Sequence, residues 1–168
     1  APPLDEEEGL GTLTLCGWLS EVCGKYGDRE ALVFHEDGQR TSWSYAELWE
    51  RANEVARALH AVGIGKGERV GVLFTNRPEF LSAMFGAALA GGVGCAISTF
   101  STRAELEYLL QLSSCSVLLM EKQVLKKDFC KELTAIEPAV AVVRPGELES
   151  TKLPFLRHIA SVGGGEGM

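Results

Sequence analysis

The chain has 168 residues, of which 46% are hydrophobic, and it carries a formal net charge of −7. This length and composition favour one globular domain with a hydrophobic core over a disordered chain. An acidic surface repels nucleic acid, and no apolar run is long enough to cross a bilayer, so the sequence argues against a nucleic-acid partner and against a transmembrane segment. The acidic N-terminus is unlike a signal peptide, and we therefore expect a cytoplasmic protein.

The first part of the chain is predicted to form a tail, a helix and a hairpin. Residues 1–9 contain an acidic run and little apolar content, so they are expected to be disordered. A helix is predicted from Thr12 or Thr14 to about Tyr26. Two short strands, 31–35 and 40–43, flank Asp37-Gly38, a favoured two-residue turn, which predicts an antiparallel hairpin.

A capping box opens the central part of the chain. The Ser44 hydroxyl and the Glu47 carboxylate, three residues apart, can each accept a hydrogen bond from an amide that the first turn of a helix leaves unpaired. Apolar residues then recur at steps of three and four, which predicts an amphipathic helix over 44–62 that ends at Gly63. The apolar run 69–74 is typical of a strand covered on both faces.

The alternation of helices and strands continues towards the C-terminus. Asn76 is predicted to cap the next helix, because Pro78 fits its first turn and Glu79 lies three residues after the cap. A second capping box, Thr102 to Glu105, opens another helix. The predicted segments, in order, are helix 77–90, strand 93–97, helix 102–112, strand 116–120, helix 123–136, strand 139–143 and strand 156–162.

This order of elements predicts the fold class. Strands that alternate with helices of this length need crossover connections, so we expect an α/β fold with a mostly parallel sheet and helices on both faces. A helix and a short antiparallel hairpin precede it. Leu48, Leu59, Phe80 and Leu106 are predicted to lie in the core.

Several residue types that can carry chemistry lack the spacing that such chemistry needs. The glycines Gly63, Gly65 and Gly67 follow a helix and enter a strand, which is the reverse of a dinucleotide-binding turn. The glycine run that begins at Gly163 follows a strand, but on its own it is a weak indication of a phosphate contact. The cysteines show no Cys-x-x-Cys pair, and the histidines lack the spacing of metal ligands. We therefore expect reduced thiols, no metal ligands and no catalytic residues. The cysteines and histidines concerned are Cys16, Cys23, Cys95, Cys115, Cys130, His35, His60 and His158.

One positional argument indicates candidate ligand-facing residues. Ligands of open parallel sheets bind beyond the carboxyl ends of the strands. The polar residues at those ends are Asn76 and Arg77 after one predicted strand, and Ser98 and Thr99 after the next. The alternative interpretation of each is a helix cap or a turn.

The chain from about residue 10 to 165 resembles the N-terminal part of the adenylate-forming acyl-CoA synthetases, the family of AMP-dependent synthetases and ligases. Tyr45-Ala46-Glu47-Leu48 is similar to the family's aromatic-Ala-Glu-Leu motif at the start of a long helix, and Gly91-Gly92-Val93 to its Gly-Ala-Val stretch. Where the family often has Pro and then Asn-Pro, this chain has Ala96 and Ser98-Thr99.

The resemblance implies the activity of a longer enzyme. Such a ligase joins a carboxylic acid to ATP, giving an acyl-adenylate and pyrophosphate, and then transfers the acyl group to coenzyme A, with Mg²⁺ as its metal. The family's phosphate loop, ribose-binding Asp, Thr-Glu pair and C-terminal Lys are not found in this sequence. We therefore expect residues 10–168 to be an N-terminal subdomain that meets the remaining subdomains of its enzyme, binds none of these cofactors tightly and is inactive in isolation.

Two other hypotheses remain open from the sequence. The chain could be a stand-alone α/β binding or interaction module, or an unrelated nucleotide-binding oxidoreductase domain. The missing strand-glycine-helix junction counts against the second of these. The length of the reading frame would distinguish a ligase fragment from a stand-alone module.

Overall fold

The computed structural model describes residues 14–36 and 38–163. The predicted tail, Asp37 of the hairpin turn and most of the C-terminal glycine run lie outside these residues. The elements in chain order are α1 (Leu15–Tyr26), β1 (Glu30–Glu36), β2 (Gln39–Ser44), α2 (Tyr45–Ala61), β3 (Arg69–Leu73), α3 (Pro78–Leu89), β4 (Val93–Ala96), α4 (Arg103–Ser113), β5 (Val117–Glu121), β6 (Gln123–Val124), β7 (Lys127–Asp128), α5 (Phe129–Ile136), a 3-10 helix (Pro138–Ala141) and β8 (His158–Val162).

A four-stranded parallel sheet with the order β4-β3-β5-β8 forms the centre of the domain. Successive side chains of a strand point to opposite faces, so β3 contributes Val70 and Val72 to one face and Leu73 to the other. Helices α2 and α3 pack on the first face, and α4 and α5 pack on the second. The predicted α/β fold with a parallel sheet and helices on both faces is confirmed.

The N-terminal elements form an additional layer outside α2. Helix α1 begins after Thr14, whose hydroxyl accepts a hydrogen bond from the Gly17 amide, and it buries Leu19 and Cys23 against α2. Strands β1 and β2 pair antiparallel, as predicted. Two of the predicted core residues, Leu48 and Leu59, lie on the buried face of α2.

Both capping boxes form as predicted. The Ser44 amide donates to the Glu47 carboxylate at 2.7 Å, and the Glu47 amide donates to the Ser44 hydroxyl at 3.2 Å. The second box, Thr102 with Glu105, has the same pair of bonds. Gly63 follows α2 with φ of +89°, a left-handed conformation that closes a helix end.

Helices α2 and α3 cross at close range where Gly86 lies. A Cβ atom built at Gly86 would stand 2.6 Å from Cβ of Val55, which leaves room for hydrogen only. Helix α3 is less buried than its apolar composition indicates. Phe80, predicted to lie in the core, is only half-buried, whereas Leu106 on α4 is fully buried as predicted.

The prediction that Asn76 caps α3 is wrong. Asn76 is exposed, and the cap position falls on Arg77, whose side chain makes no capping hydrogen bond. The cause is Pro78, because a proline ring disfavours helical geometry in the residue before it. Arg77 is accordingly extended, with φ of −127° and ψ of 160°, and the helix begins at Pro78.

The predicted helix 123–136 is wrong in its first half. Residues 123–124 and 127–128 pair as the short antiparallel strands β6 and β7, and α5 begins only at Phe129. The carboxylate of Asp128 accepts the Lys131 amide at 3.1 Å and caps that helix. A capping side chain inside the predicted segment divides it into a hairpin and a shorter helix.

The predicted strand 139–143 is also wrong. Residues Pro138–Ala141 form a 3-10 helix, and the Glu137 carboxylate accepts the Ala139 amide at 3.2 Å. Val142 is 83% exposed, so the apolar run does not enter the sheet. The place beside β5 is taken by β8, which lies within the predicted strand 156–162.

Candidate functional site

The strand order creates a crevice at the carboxyl ends of β3 and β5. The connection after β3 runs through α3 on one face of the sheet, whereas the connection after β5 runs through α5 on the other face. Neighbouring strands whose connections leave towards opposite faces part at their carboxyl ends, and this is where open α/β sheets bind ligands. The crevice is therefore the candidate site.

A buried carboxylate, Glu121 at the end of β5, organises this crevice. One of its oxygens accepts hydrogen bonds from both the amide and the hydroxyl of Thr75, each at 2.7 Å. The other oxygen accepts a bond from Nη1 of Arg77 at 3.0 Å. The Glu121 side chain is only 11% exposed, so these bonds satisfy a carboxylate that is largely removed from water.

Arg77 is shared between two carboxylates. In addition to its bond with Glu121, its Nε donates to Glu79 at 2.7 Å and its Nη2 donates to the second Glu79 oxygen at 3.0 Å. The hydrogen bonds to Glu79 raise the pKa of Arg77, and the same bonds lower the pKa of Glu79. One cation thus stands against two anions, which leaves the crevice with a net negative charge.

This crevice does not fit the phosphates of a nucleotide. A triphosphate needs cationic side chains and unpaired amides gathered around it. Here the guanidinium of Arg77 is already held by Glu79 and Glu121, and the Thr75 amide is already bonded. Within residues 14–36 and 38–163, no group of three or more His, Cys, Asp or Glu side chains could hold a metal ion.

The four residues predicted at the strand ends do not form one cluster. Asn76 is exposed and Arg77 is engaged in the crevice. Ser98 is exposed, and its hydroxyl accepts the Phe100 amide at 3.2 Å, while Thr99 faces a different cleft beside β6 and β7. The structure gives no hydrogen bond between the two pairs within the residues that it describes.

Sequence reasoning missed Glu121 and Glu79. A charge at the end of the otherwise apolar strand 117–121 was a signal for Glu121, because an ionised group at a buried strand end needs a partner. Nothing local indicates that its partners are Thr75 and Arg77, which lie 46 and 44 residues earlier in the chain.

The five cysteines lie within the described part of the chain, and three of them are buried. All five are free thiols, and burial raises the pKa of Cys115, Cys23 and Cys130, which keeps these thiols protonated. This favours a packing role for the buried cysteines. No helix in the described part of the chain is long and apolar enough to span a membrane.

An apolar groove lies on the sheet face beside α2. It encloses about 380 Å³ between α2, β5 and β8, and its lining includes Leu59, Phe74, Leu119 and Val162. Helices α2 and α3 cover the β3 part of this face and bury Val117 of β5, but no described helix covers the β8 part. Strand β8 is consequently only partly buried.

These features define a parallel α/β domain with a crevice at the carboxyl ends of its strands, where ligands of such sheets bind. Comparison with known proteins identifies the family: the model of the AMP-binding enzymes matches residues 19–160. The chain therefore belongs to the AMP-binding enzyme family, the adenylate-forming synthetases and ligases, and represents the N-terminal region of that fold.

Several relatives of this chain are acyl-CoA ligases. The human mitochondrial medium-chain acyl-CoA ligase ACSF2 is 31% identical over 154 residues, which are 91% of this chain and 25% of the relative. The acyl-CoA ligase sidI of Aspergillus fumigatus is 34% identical over 126 residues, which are 75% of this chain and 21% of the relative. The chain thus spans about a quarter or less of the length of these relatives.

Solved structures show the same fold. The inhibitor-bound N-terminal domain of FACL13 from Mycobacterium tuberculosis superposes with a TM-score of 0.69 at 25% identity, over 88% of this chain and 33% of that chain. The anthranilate CoA ligase AuaEII, solved with anthranoyl-AMP, gives a TM-score of 0.69 at 23% identity, over 88% of this chain and 24% of that chain.

Proposed function

We propose that this chain is the N-terminal part of an ATP-dependent acyl-CoA synthetase. The complete enzyme would join a carboxylic acid to the α-phosphate of ATP, release pyrophosphate, and pass the acyl group to the thiol of coenzyme A. The family match across residues 19–160 carries this proposal, and the acyl-CoA ligases among the relatives support it.

The chemistry itself would depend on parts of the enzyme beyond this chain. Adenylate formation needs positive charge around the α-phosphate and an in-line carboxylate. The crevice offers one guanidinium that two carboxylates already neutralise. We therefore place the binding of ATP, Mg²⁺ and coenzyme A in the remaining subdomains, and we propose that residues 10–168 alone are inactive.

The strand ends would face those remaining subdomains. Asn76 and Ser98 are exposed at the carboxyl edge of the sheet, and Thr99 follows Ser98 in the chain. We propose that these residues, with Arg77, contribute to the substrate-bearing side of the complete enzyme. They would contact and orient the substrate, since no reactive side chain lies next to them among the described residues.

The apolar groove supports the same proposal. Surfaces of this kind are covered in stable proteins, because exposed apolar area is unfavourable in water. Since the chain spans only about a quarter of its relatives, the remaining polypeptide of the same enzyme is the occupant that we propose for the groove between α2 and β8.

We further propose a cytoplasmic location for the complete enzyme. The acidic composition is compatible with this. The relative ACSF2 is named as mitochondrial. Imaging of a C-terminally tagged complete protein against a mitochondrial marker would distinguish the two compartments.

The test of the proposed function is thioester formation by the product of the complete reading frame. The protein is incubated with ATP, Mg²⁺, coenzyme A and a panel of aliphatic and aromatic acids, and the free thiol of coenzyme A is measured. We expect acid-dependent and ATP-dependent loss of the thiol with at least one acid. No loss with any acid, or a reading frame that ends at Met168, would favour a stand-alone binding module instead.

A further inference from the structure

Two apolar side chains protrude from the domain next to one another and to several lysines. Phe100, in the loop after β4, is 88% exposed, and Leu125, in the turn between β6 and β7, is 85% exposed. Both border one open cleft of about 500 Å³, which is also lined by Lys126, Lys127 and Lys131. We call these five residues the docking patch.

The position of Leu125 is unusual for a leucine. It lies in the two-residue turn between β6 and β7 with φ of +54°, a left-handed conformation that turns normally reserve for Gly or Asn. A leucine in this conformation is sterically strained, and its side chain gains no burial in this domain. A partner that covers the side chain would supply the missing burial.

A hydrogen bond links the two loops of the docking patch. Nζ of Lys127 donates a hydrogen bond to the backbone oxygen of Ser101, which joins the β6–β7 turn to the loop after β4. Arg103 on α4 donates to Glu132 on α5 at 2.8 Å and joins the helices behind these loops. These contacts connect the two loops of the docking patch to each other and join the helices behind them.

The docking patch is locally cationic, although the chain as a whole carries a charge of −7. Lys126 is exposed and has no hydrogen bond or ion pair with another described residue, and the Lys131 side chain is 83% exposed. Asp128 and Glu132 also line the cleft; Asp128 caps α5 and pairs with Lys131 at 3.8 Å, and Glu132 pairs with Arg103. Of the three lysines in the docking patch, Lys126 therefore presents a positive charge without a partner among the described residues, beside the two apolar side chains.

We propose that the docking patch binds the surface of an anionic lipid bilayer. Protruding aliphatic and aromatic side chains can enter the boundary of the acyl chains, while adjacent lysines contact anionic headgroups. A lipid surface fits better than nucleic acid, because Leu125 has no π-system on which a base could stack. The inference concerns peripheral attachment and does not depend on the proposed ligase activity.

The test is sedimentation of the complete protein with vesicles. Vesicles of phosphatidylcholine with an equal amount of phosphatidylglycerol are compared with vesicles of phosphatidylcholine alone. We expect binding to the anionic vesicles, and we expect 0.5 M NaCl to weaken it. Leu125→Ser should lower the association constant about tenfold, and Lys126→Gln and Lys131→Gln about fivefold each.

Two matched variants control for general loss of apolar area or charge. Val142→Ser removes an equally exposed apolar side chain outside the cleft, and Lys66→Gln removes an exposed lysine near the opposite edge of the sheet. Both should bind like the parent protein, and circular dichroism should show that every variant is folded.

Three results would overturn the proposal. The first is a complete protein that binds neutral and anionic vesicles equally, or that binds neither. The second is a Leu125→Ser variant that binds like the parent protein. The third is binding to a single-stranded oligonucleotide that depends on the lysines and not on Leu125. Thioester formation measured on the same variants should be unchanged, so this outcome is separable from that of the proposed function.

Discussion

Removing the carboxylate of Glu121 should destabilise the domain by about 3 kcal/mol. A hydrogen bond to an ionised group contributes roughly 1.5–3 kcal/mol, and truncation leaves buried donors without a partner. Glu121→Ala removes three such bonds, two from Thr75 and one from Arg77. The loss is smaller than the sum, because Arg77 keeps its two bonds to Glu79 and its side chain is 24% exposed.

The measurement is the free energy of unfolding from urea denaturation at neutral pH, with Glu30→Ala as the matched control. The Glu30 carboxylate accepts two bonds from Arg40 at 2.7 and 2.8 Å, but both side chains are 52% exposed. Exposed ion pairs contribute little, so this control should behave like an ordinary surface substitution. If Glu121→Ala cost no more than Glu30→Ala, the conclusion that Glu121 holds the crevice together through Thr75 and Arg77 would be refuted.

Three further expectations concern packing and acid stability. Leu59→Ala should cost about 2–5 kcal/mol because Leu59 is only 2% exposed, and a melting shift no larger than that of Glu50→Ala would contradict this. Gly86→Ala should destabilise the domain by about 1–3 kcal/mol, because the added methyl group clashes with α2. Gly24→Ala, with open space around it in α1, should stabilise the domain by about 0.5–1 kcal/mol. If chemical denaturation showed that both variants change the free energy of unfolding in the same direction, the close crossing of α2 and α3 would be disproved. The pKa of Glu79 is lowered in the folded state, so its ion pair with Arg77 stabilises the fold fully above pH 4.5, and this stabilisation is lost as the pH falls through the folded pKa. Glu79→Gln should therefore make the free energy of unfolding less dependent on pH between pH 6 and 3. An unchanged pH dependence would count against the ion pair.

Local signals predicted the parallel unit well. The capping boxes at Ser44 and Thr102 formed because both partners of each box are only three residues apart, so tertiary structure does not have to create them. The strands at 69–73, 93–96 and 117–121 followed from short apolar runs between helices.

The errors arose where a local pattern had two outcomes. The apolar run 139–143 has the composition of a strand, but the Glu137 cap and Pro138 start a 3-10 helix and β8 takes the place beside β5. At the α3 start, Pro78 moved the cap from Asn76 to Arg77. In both cases the restricted backbone geometry at a proline determined the local structure.

The candidate site was predictable only in its position. The rule that ligands bind at strand ends directed attention to Asn76, Arg77, Ser98 and Thr99. It could not show that Arg77 is also held by Glu121, because Glu121 lies 44 residues away in the chain. The residues that control the charge of the crevice were therefore visible only in the structure.

We propose that this domain is part of an adenylating ligase and is inert without the rest of that enzyme. Acid-dependent exchange of labelled pyrophosphate into ATP tests this most directly, with the 168-residue chain and the product of the complete reading frame assayed side by side. We expect exchange by the complete protein with some carboxylic acid and none by the chain alone. Exchange by the chain alone, or no exchange by the complete protein with any acid, would contradict the claim.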